Sequence, residues 1–209
     1  MVHLTHEQIV FFAMLFPSII LHEVSHGWVA NAFGDDTAKR AGRLTLNPIA
    51  HVDPFGTIIL PALLIATTGR AFGYAKPVPV NPRNLHDPRN QSLLVSLAGP
   101  AVNIVLAVAA AFALRQVLAS GQPVRAWSLG DFLLNLGTAN VLLAVFNLIP
   151  LPPLDGSAVV ERLMPESWWP GYLRIRQYSM GALLIVVLLL PGTLNRVFNW
   201  AIDLWLRLL

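Results

Sequence analysis

Long runs without charge constrain this chain more than any other feature, because about 20 apolar residues in a helix match the hydrocarbon core of a bilayer. Residues 8–33, 92–118 and 132–150 are long enough to span it. "FGTIILPALLIATTG", residues 55–69, is short for a span and carries Pro61 at its centre, which predicts a re-entrant or partly inserted segment. "YSMGALLIVVLLLP", residues 178–191, attains spanning length only if it extends back through Arg174 and Arg176 or on past Pro191. Beyond Pro191, the residues Arg196, Asn199, Asp203 and Arg207 form one polar stripe on an otherwise apolar helix. That pattern predicts an interfacial helix, with a final span whose stripe faces protein as the alternative.

Composition agrees. Hydrophobic residues make up 55% of the 209 and charged residues 12%, against about 45–50% and about 25% for a soluble domain. The net charge is +3 and its basic residues lie in loops, a sign of membrane topology rather than of nucleic-acid binding. With no cysteine, disulfides and thiolate catalysis are excluded. The opening "MVHLTHEQ" has no basic n-region or small-residue cleavage site, so no cleaved signal peptide is read. "GRLTLN", residues 42–47, alternates at Leu44, Thr45 and Leu46, a hint of short strands. Residues 73–90, rich in Pro and Asn, predict an extended loop. The expected fold is an all-α polytopic membrane protein, a bundle of about 4–6 transmembrane helices with a short membrane-associated β element and a re-entrant segment. Residues 1–209 read as a single membrane-embedded domain.

Near the end of the first run stands "HEVSH", residues 22–26. Ionisable groups there are costly in hydrocarbon, and so are functional by default. His22 and His26 are four apart, about 40° of rotation on a helix, so both imidazoles leave one face a turn apart. Two ring nitrogens so placed can bind one Zn²⁺. Glu23 lies beside the metal rather than on it, where it can accept a proton from a water whose pKa zinc lowers from 15.7 to about 7. This is the H-E-x-x-H pattern of zinc peptidases. The alternative is a pair of histidines that bond backbone carbonyls or line a polar cavity.

Catalytic zinc needs a third protein ligand and an open position for water. Glu7, Asp131, Glu161, Glu166 and Asp203 lie at or beyond the ends of apolar runs. Asp155 is different. It follows the fourth run within "FNLIPLPPLDGS", where Pro150, Pro152 and Pro153 break the helix and Gly156 allows a turn. A carboxylate there can come back to the helix end. An ordinary turn residue or helix cap is the alternative.

"HEVSH", "AGPAVN" (98–103) and "NLIPLPPLDG" (147–156) together resemble the site-2 proteases, the intramembrane zinc metalloproteases. The resemblance implies His22, His26 and Asp155 as ligands to one Zn²⁺ per chain and Glu23 as catalytic base. Gly99 and Asn103 match the family's G-x-x-x-N element. Asn147, Pro150, Asp155 and Gly156 match its N-x-x-P…D-G element. The motifs cover residues 22–156 in order. The chain looks like a minimal core without the PDZ or CBS domain that members often carry. The implied reaction is hydrolysis of peptide bonds in or near transmembrane segments of other membrane proteins, that is, regulated intramembrane proteolysis. The implied partners are a transmembrane protein substrate and the lipid bilayer, with no nucleic acid. Residues 42–54 are expected to hold an unwound substrate by strand pairing. A membrane metal transporter and a non-catalytic membrane scaffold are the rival readings. An intact Glu23 argues against the scaffold.

Other polar residues read as structure. His51 and Asp53 suit a loop, with a second polar site as the alternative. His86 suits a solvated position. Asn103 is placed near the site, and Asn140 and Asn147 suit interhelical bonding. The pair Trp168 and Trp169 suits an interfacial belt. One zinc held by the ends of the first and fourth runs requires those helices to be parallel, so an odd number of crossings separates them. Lys39, Arg40, Arg43, Arg70, Lys76, Arg83, Arg89, Arg162, Arg174 and Arg176 then share one side, against Arg115 and Arg125. The positive-inside rule puts the basic side, and the active site, toward the cytoplasm of a prokaryotic cell membrane.

Overall fold

The computed structural model describes residues 5–60, 63 and 76–209. Three long helices form the centre of the bundle. The first, α1 (His6–Ala32), starts at a reciprocal cap: Thr5 Oγ1 accepts from Gln8 N–H, and Gln8 Oε1 accepts from Thr5 N–H. It ends at Gly34, whose φ of +103° only glycine adopts freely. A short α2 (Thr37–Arg40) follows. The long helix α3 (Pro88–Ala119) opens with Asp87 as cap and Pro88 in its first turn. α4 (Leu129–Asn147) opens with Ser128 as cap.

These are the described helices long and apolar enough by themselves to cross a membrane. Past α5 (Ser157–Leu163), the helices α6 (Trp169–Arg176) and α7 (Ser179–Leu189) meet at a 63° bend and add one more crossing if the pair is a single broken span. The chain is therefore a helical membrane protein with three, or at most four, candidate spans among the described residues. Arg174 and Arg176 lie in the separate helix α6, so residues 178–191 are not extended backward as one continuous helix.

Contacts at both ends set the directions. His6, at the start of α1, meets Asp131 in the first turn of α4. His22 and His26, toward the end of α1, meet Asp155 just past α4. α1 and α4 are thus parallel. α3 runs against them, with Val95 of its first half beside His26. Between α1 and α3 the chain returns to the level it left, since Lys76 N–H bonds His51 O at 3.0 Å. The re-entrant segment expected over 55–69 lies mostly outside the described residues; its described start, Pro54–Ile59, is a π-type helical turn capped by Asp53.

Small residues let the helices approach closely. Ala107, Ala110, Ala111 and Leu114 of α3 pack against Val141 of α4 and against Ala201 and Trp205 of α8 (Pro191–Leu206). Trp205 Nε1–H donates to the Ala107 carbonyl at 2.7 Å, and its ring lies over Gly137, where a Cβ would collide with it. This face of α8 is docked on the bundle, so a purely interfacial helix does not describe it.

One expectation fails. No described residue is in a strand, and 42–47 form the end of a turn, a bend at 44–45 and irregular backbone. The alternation there spans three residues, and local groups take up the backbone. Arg43 N–H bonds Ala38 O, Asn47 N–H bonds Thr45 Oγ1, and Asn47 Oδ1 caps a 3₁₀ turn at Pro48–His51. Too few groups are left for a ladder.

Candidate metal centre

His22, Ser25 and His26 lie on the inner face of α1 and are buried. The imidazole Nε2 atoms of His22 and His26 are 3.2 Å apart. Asp155 Oδ2 lies 3.1 Å from the first and 3.4 Å from the second. Asp155 arrives there because α4 stops at Asn147 and the proline-broken chain doubles back. Gly156 N–H bonds Asn147 O at 2.6 Å, and a Cβ on Gly156 would strike the Leu148 carbonyl. Only glycine permits this return.

The donors fit zinc. His26 Nδ1 lies 2.7 Å from the Val95 carbonyl, which only accepts, so the ring proton is on Nδ1 and Nε2 carries a lone pair. His22 Nδ1 is likewise engaged, by Asn103 Oδ1 at 2.6 Å. Asp155 Oδ2 is buried and makes no hydrogen bond. Three possible ligand atoms thus converge within 4.8 Å of one another, and with both rings neutral and protonated at Nδ1 this is an arrangement that a cation stabilises. Two histidines and one carboxylate also leave room for water in a tetrahedral site.

Glu23 points beside this cluster. Its Oε2 accepts from Val78 N–H at 3.0 Å. Val78 belongs to the extended stretch 76–81, held by the Arg43 guanidinium on Lys76 O at one end and by Asp35 Oδ2 on Asn81 N–H at the other. Gly99 makes room for both imidazoles, since a Cβ there would lie 2.5 Å from His22 Cε1 and His26 Nε2. The cluster opens into a cavity of about 710 Å³ lined also by Val78, Ser96, Asn147, Pro153 and Arg162.

The model for Peptidase family M50 matches residues 10–125 and 116–190. The chain belongs to peptidase family M50. The family is the one the motif resemblance implied, and membership gives the chain its class, zinc metalloprotease. The chain is 47% identical over 154 residues to "Putative zinc metalloprotease YwhC" of Bacillus subtilis (strain 168), a match covering 72% of this chain and 67% of that protein. It is 37% identical to "Putative zinc metalloprotease Rip2" of Mycolicibacterium smegmatis (strain ATCC 700084 / mc(2)155), over 87% of this chain and 66% of that protein. "Zinc metalloprotease MJ0392" of Methanocaldococcus jannaschii is 25% identical, over 89% of this chain and 43% of that protein. The chain thus spans about two thirds of the first two of these M50 relatives. No solved structure matches it.

Of the residues singled out by sequence, His22, His26, Asp155, Glu23, Gly99, Asn103 and Asn147 come together here. Pro150 is exposed and does not line the cavity; Pro153 does. Residues 42–54 do not line it either, so the stretch beside Glu23 is 77–80 instead. His51 is buried, with its Nε2–H on Thr45 O, a loop role. His86 is exposed. Trp169 lines the cavity while Trp168 faces outward. The backbone groups of Val78 and Val95 had no signal in sequence, because any residue supplies them.

Proposed function

We propose that the chain is an intramembrane zinc metalloprotease that hydrolyses peptide bonds in or near transmembrane segments of other membrane proteins, with one zinc per chain held by His22, His26 and Asp155. The observation that carries this is the convergence of three possible ligand atoms, from His22, His26 and Asp155, beside Glu23, inside a bundle of membrane-length helices. His22 and His26 stand 10 and 6 residues before the end of α1, about 15 and 9 Å along the helix, which favours chemistry within the membrane's depth. Zinc, when bound, supplies Lewis-acid polarisation of the scissile carbonyl and a more acidic water. Glu23 takes the proton of the attacking water and delivers it to the leaving amine. Val78 N–H keeps one Glu23 oxygen in place, which leaves the other for the proton. A helical substrate hides its peptide bonds, so it must unwind before the cavity can admit it.

Arg89 at the start of α3 and Arg115 near its end fall on opposite sides, with the greater basic charge at the zinc end. The positive-inside rule therefore favours a site facing the cytoplasm of a prokaryotic membrane, in keeping with bacterial and archaeal relatives. The test is proteolysis of single-span substrates by purified protein in liposomes, with Glu23→Gln as control. Cleavage by the parent and none by the variant is the expected result; metal flux without cleavage would replace this reading with a transporter. Because the chain has no cysteine, single cysteines at Asp36, Arg83 and Gln122 report topology. The first two should label from the cytoplasm and the third from outside.

A further inference from the structure

A row of polar side chains crosses the centre of the bundle without lining the cavity. Asn103 of α3 and Asn140 of α4 are wholly buried, and Ser18 of α1 nearly so. The row has a single possible direction. Asn140 Nδ2 lies 2.8 Å from the Leu136 carbonyl and 2.8 Å from Ser18 Oγ. A carbonyl only accepts, so this end of the amide is its nitrogen. Ser18 gives its own proton to Met14 O at 2.7 Å, and so accepts from Asn140 as well. Asn140 must then present Oδ1 to Asn103, whose Nδ2 donates to it at 2.8 Å. Asn103 is left with Oδ1 facing His22 Nδ1 at 2.6 Å. That oxygen has no hydrogen, so the ring proton sits on Nδ1 and Nε2 is bare.

His26 has the same tautomer from the Val95 carbonyl, which no side-chain change removes. His22 depends on an amide that can turn over. A half-turn of Asn103 would offer N–H to Nδ1 and move the ring proton to Nε2, where it would block the ligand position. Asn140 opposes that turn, because it would set the two amide oxygens against each other. We infer that Asn140, held by Leu136 O and Ser18, is a positioning residue that locks Asn103 and thereby the metal-binding tautomer of His22. The inference rests on the reading of His22 as a zinc ligand.

Zinc affinity of the full chain in detergent, measured by competition with a chromogenic chelator, tests it. Asn103→Leu should weaken zinc by about 10–100-fold. Asn140→Leu should weaken it less, by about tenfold at most, and should add nothing to Asn103→Leu. Asn103→Asp is the decisive background. A carboxylate keeps an acceptor toward Nδ1 whichever way it turns, while its second oxygen meets Asn140 Oδ1, so Asn140→Leu should not weaken zinc there and relieves that oxygen–oxygen contact instead. Equal weakening by Asn140→Leu in the parent and in Asn103→Asp would mean a merely structural role and overturn the inference, as would parent affinity in Asn140→Leu. Should Asn103→Leu fail to fold, these two comparisons still decide. His22→Ala separates the layers: zinc retained there removes the ligand reading and the lock with it, whereas zinc lost there but unchanged by Asn140→Leu removes the lock alone.

Discussion

Two histidine–carboxylate contacts tie α1 to α4, one at each end, and they differ in what surrounds them. At the far end, Asp131 Oδ2 accepts from Trp127 N–H at 3.0 Å and lies 2.9 Å from His6 Nε2, and Oδ1 accepts from Asn135 Nδ2 at 3.0 Å. Every acceptor has its donor. At the near end, Asp155 Oδ2 faces two imidazole nitrogens whose protons are committed elsewhere. Similar residue types thus make a clasp in one place and a set of possible metal ligands in the other. What marks a site is convergence of like lone pairs, held by partners behind them, not the presence of histidine and aspartate.

The sharpest way to break this comparison is to remove one histidine from each end. His22→Ala should abolish zinc binding and proteolysis together, while His6→Ala should leave both intact; elemental analysis beside a cleavage assay reads both. Parent-level zinc in His22→Ala would erase the distinction. Next in size is Glu23→Gln, which keeps zinc and loses about 10²–10⁴-fold in rate. Gly99→Ala pushes a methyl group against both imidazoles; a shift near 1 Å costs about 10²-fold in activity, with helix content by circular dichroism unchanged.

A third carboxylate sharpens the point. Asp35 lies near the same end as the zinc ligands, yet it is a clasp: buried, it accepts from Thr37 N–H at 3.1 Å, Asn81 N–H at 2.6 Å and Asn84 Nδ2 at 2.9 Å. Burial by itself would raise its pKa, but the Thr37 hydroxyl, which also donates to Oδ1, together with these donors outweighs that and holds it below the usual carboxylate value. Its stabilisation is therefore complete above about pH 3.9 and is lost as pH falls through the lowered folded value. Asp35→Asn should remove about 1.5–3 kcal/mol at neutral pH and free the 76–81 stretch beside Glu23. Thermal unfolding in detergent measures the first and a rise in KM the second. His6→Ala carries the smallest effect, about 1 kcal/mol, because Asp131 keeps Trp127 and Asn135 as donors.

Much of this was legible in order along the chain. Apolar runs of bilayer length dictate spanning helices, because lipid offers no partner to an open backbone. Four-residue spacing dictates one helix face, so His22 and His26 had to be neighbours. The prolines before Asp155 announced a broken return. Other features depended on helices that meet only after folding. Gly99 matters because α3 crosses α1 at the imidazoles, and Asn140 because its amide meets Asn103 in the bundle centre. The misread strand at 42–47 has the same cause: alternation over three residues is a local pattern, and a strand needs a partner that tertiary structure alone supplies. Sequence determined which groups could bind a metal and at which spacing, since helix geometry is local. Tertiary structure decided which of them were left without protons, since a hydrogen-bond partner across the bundle is a property of packing and not of any one segment.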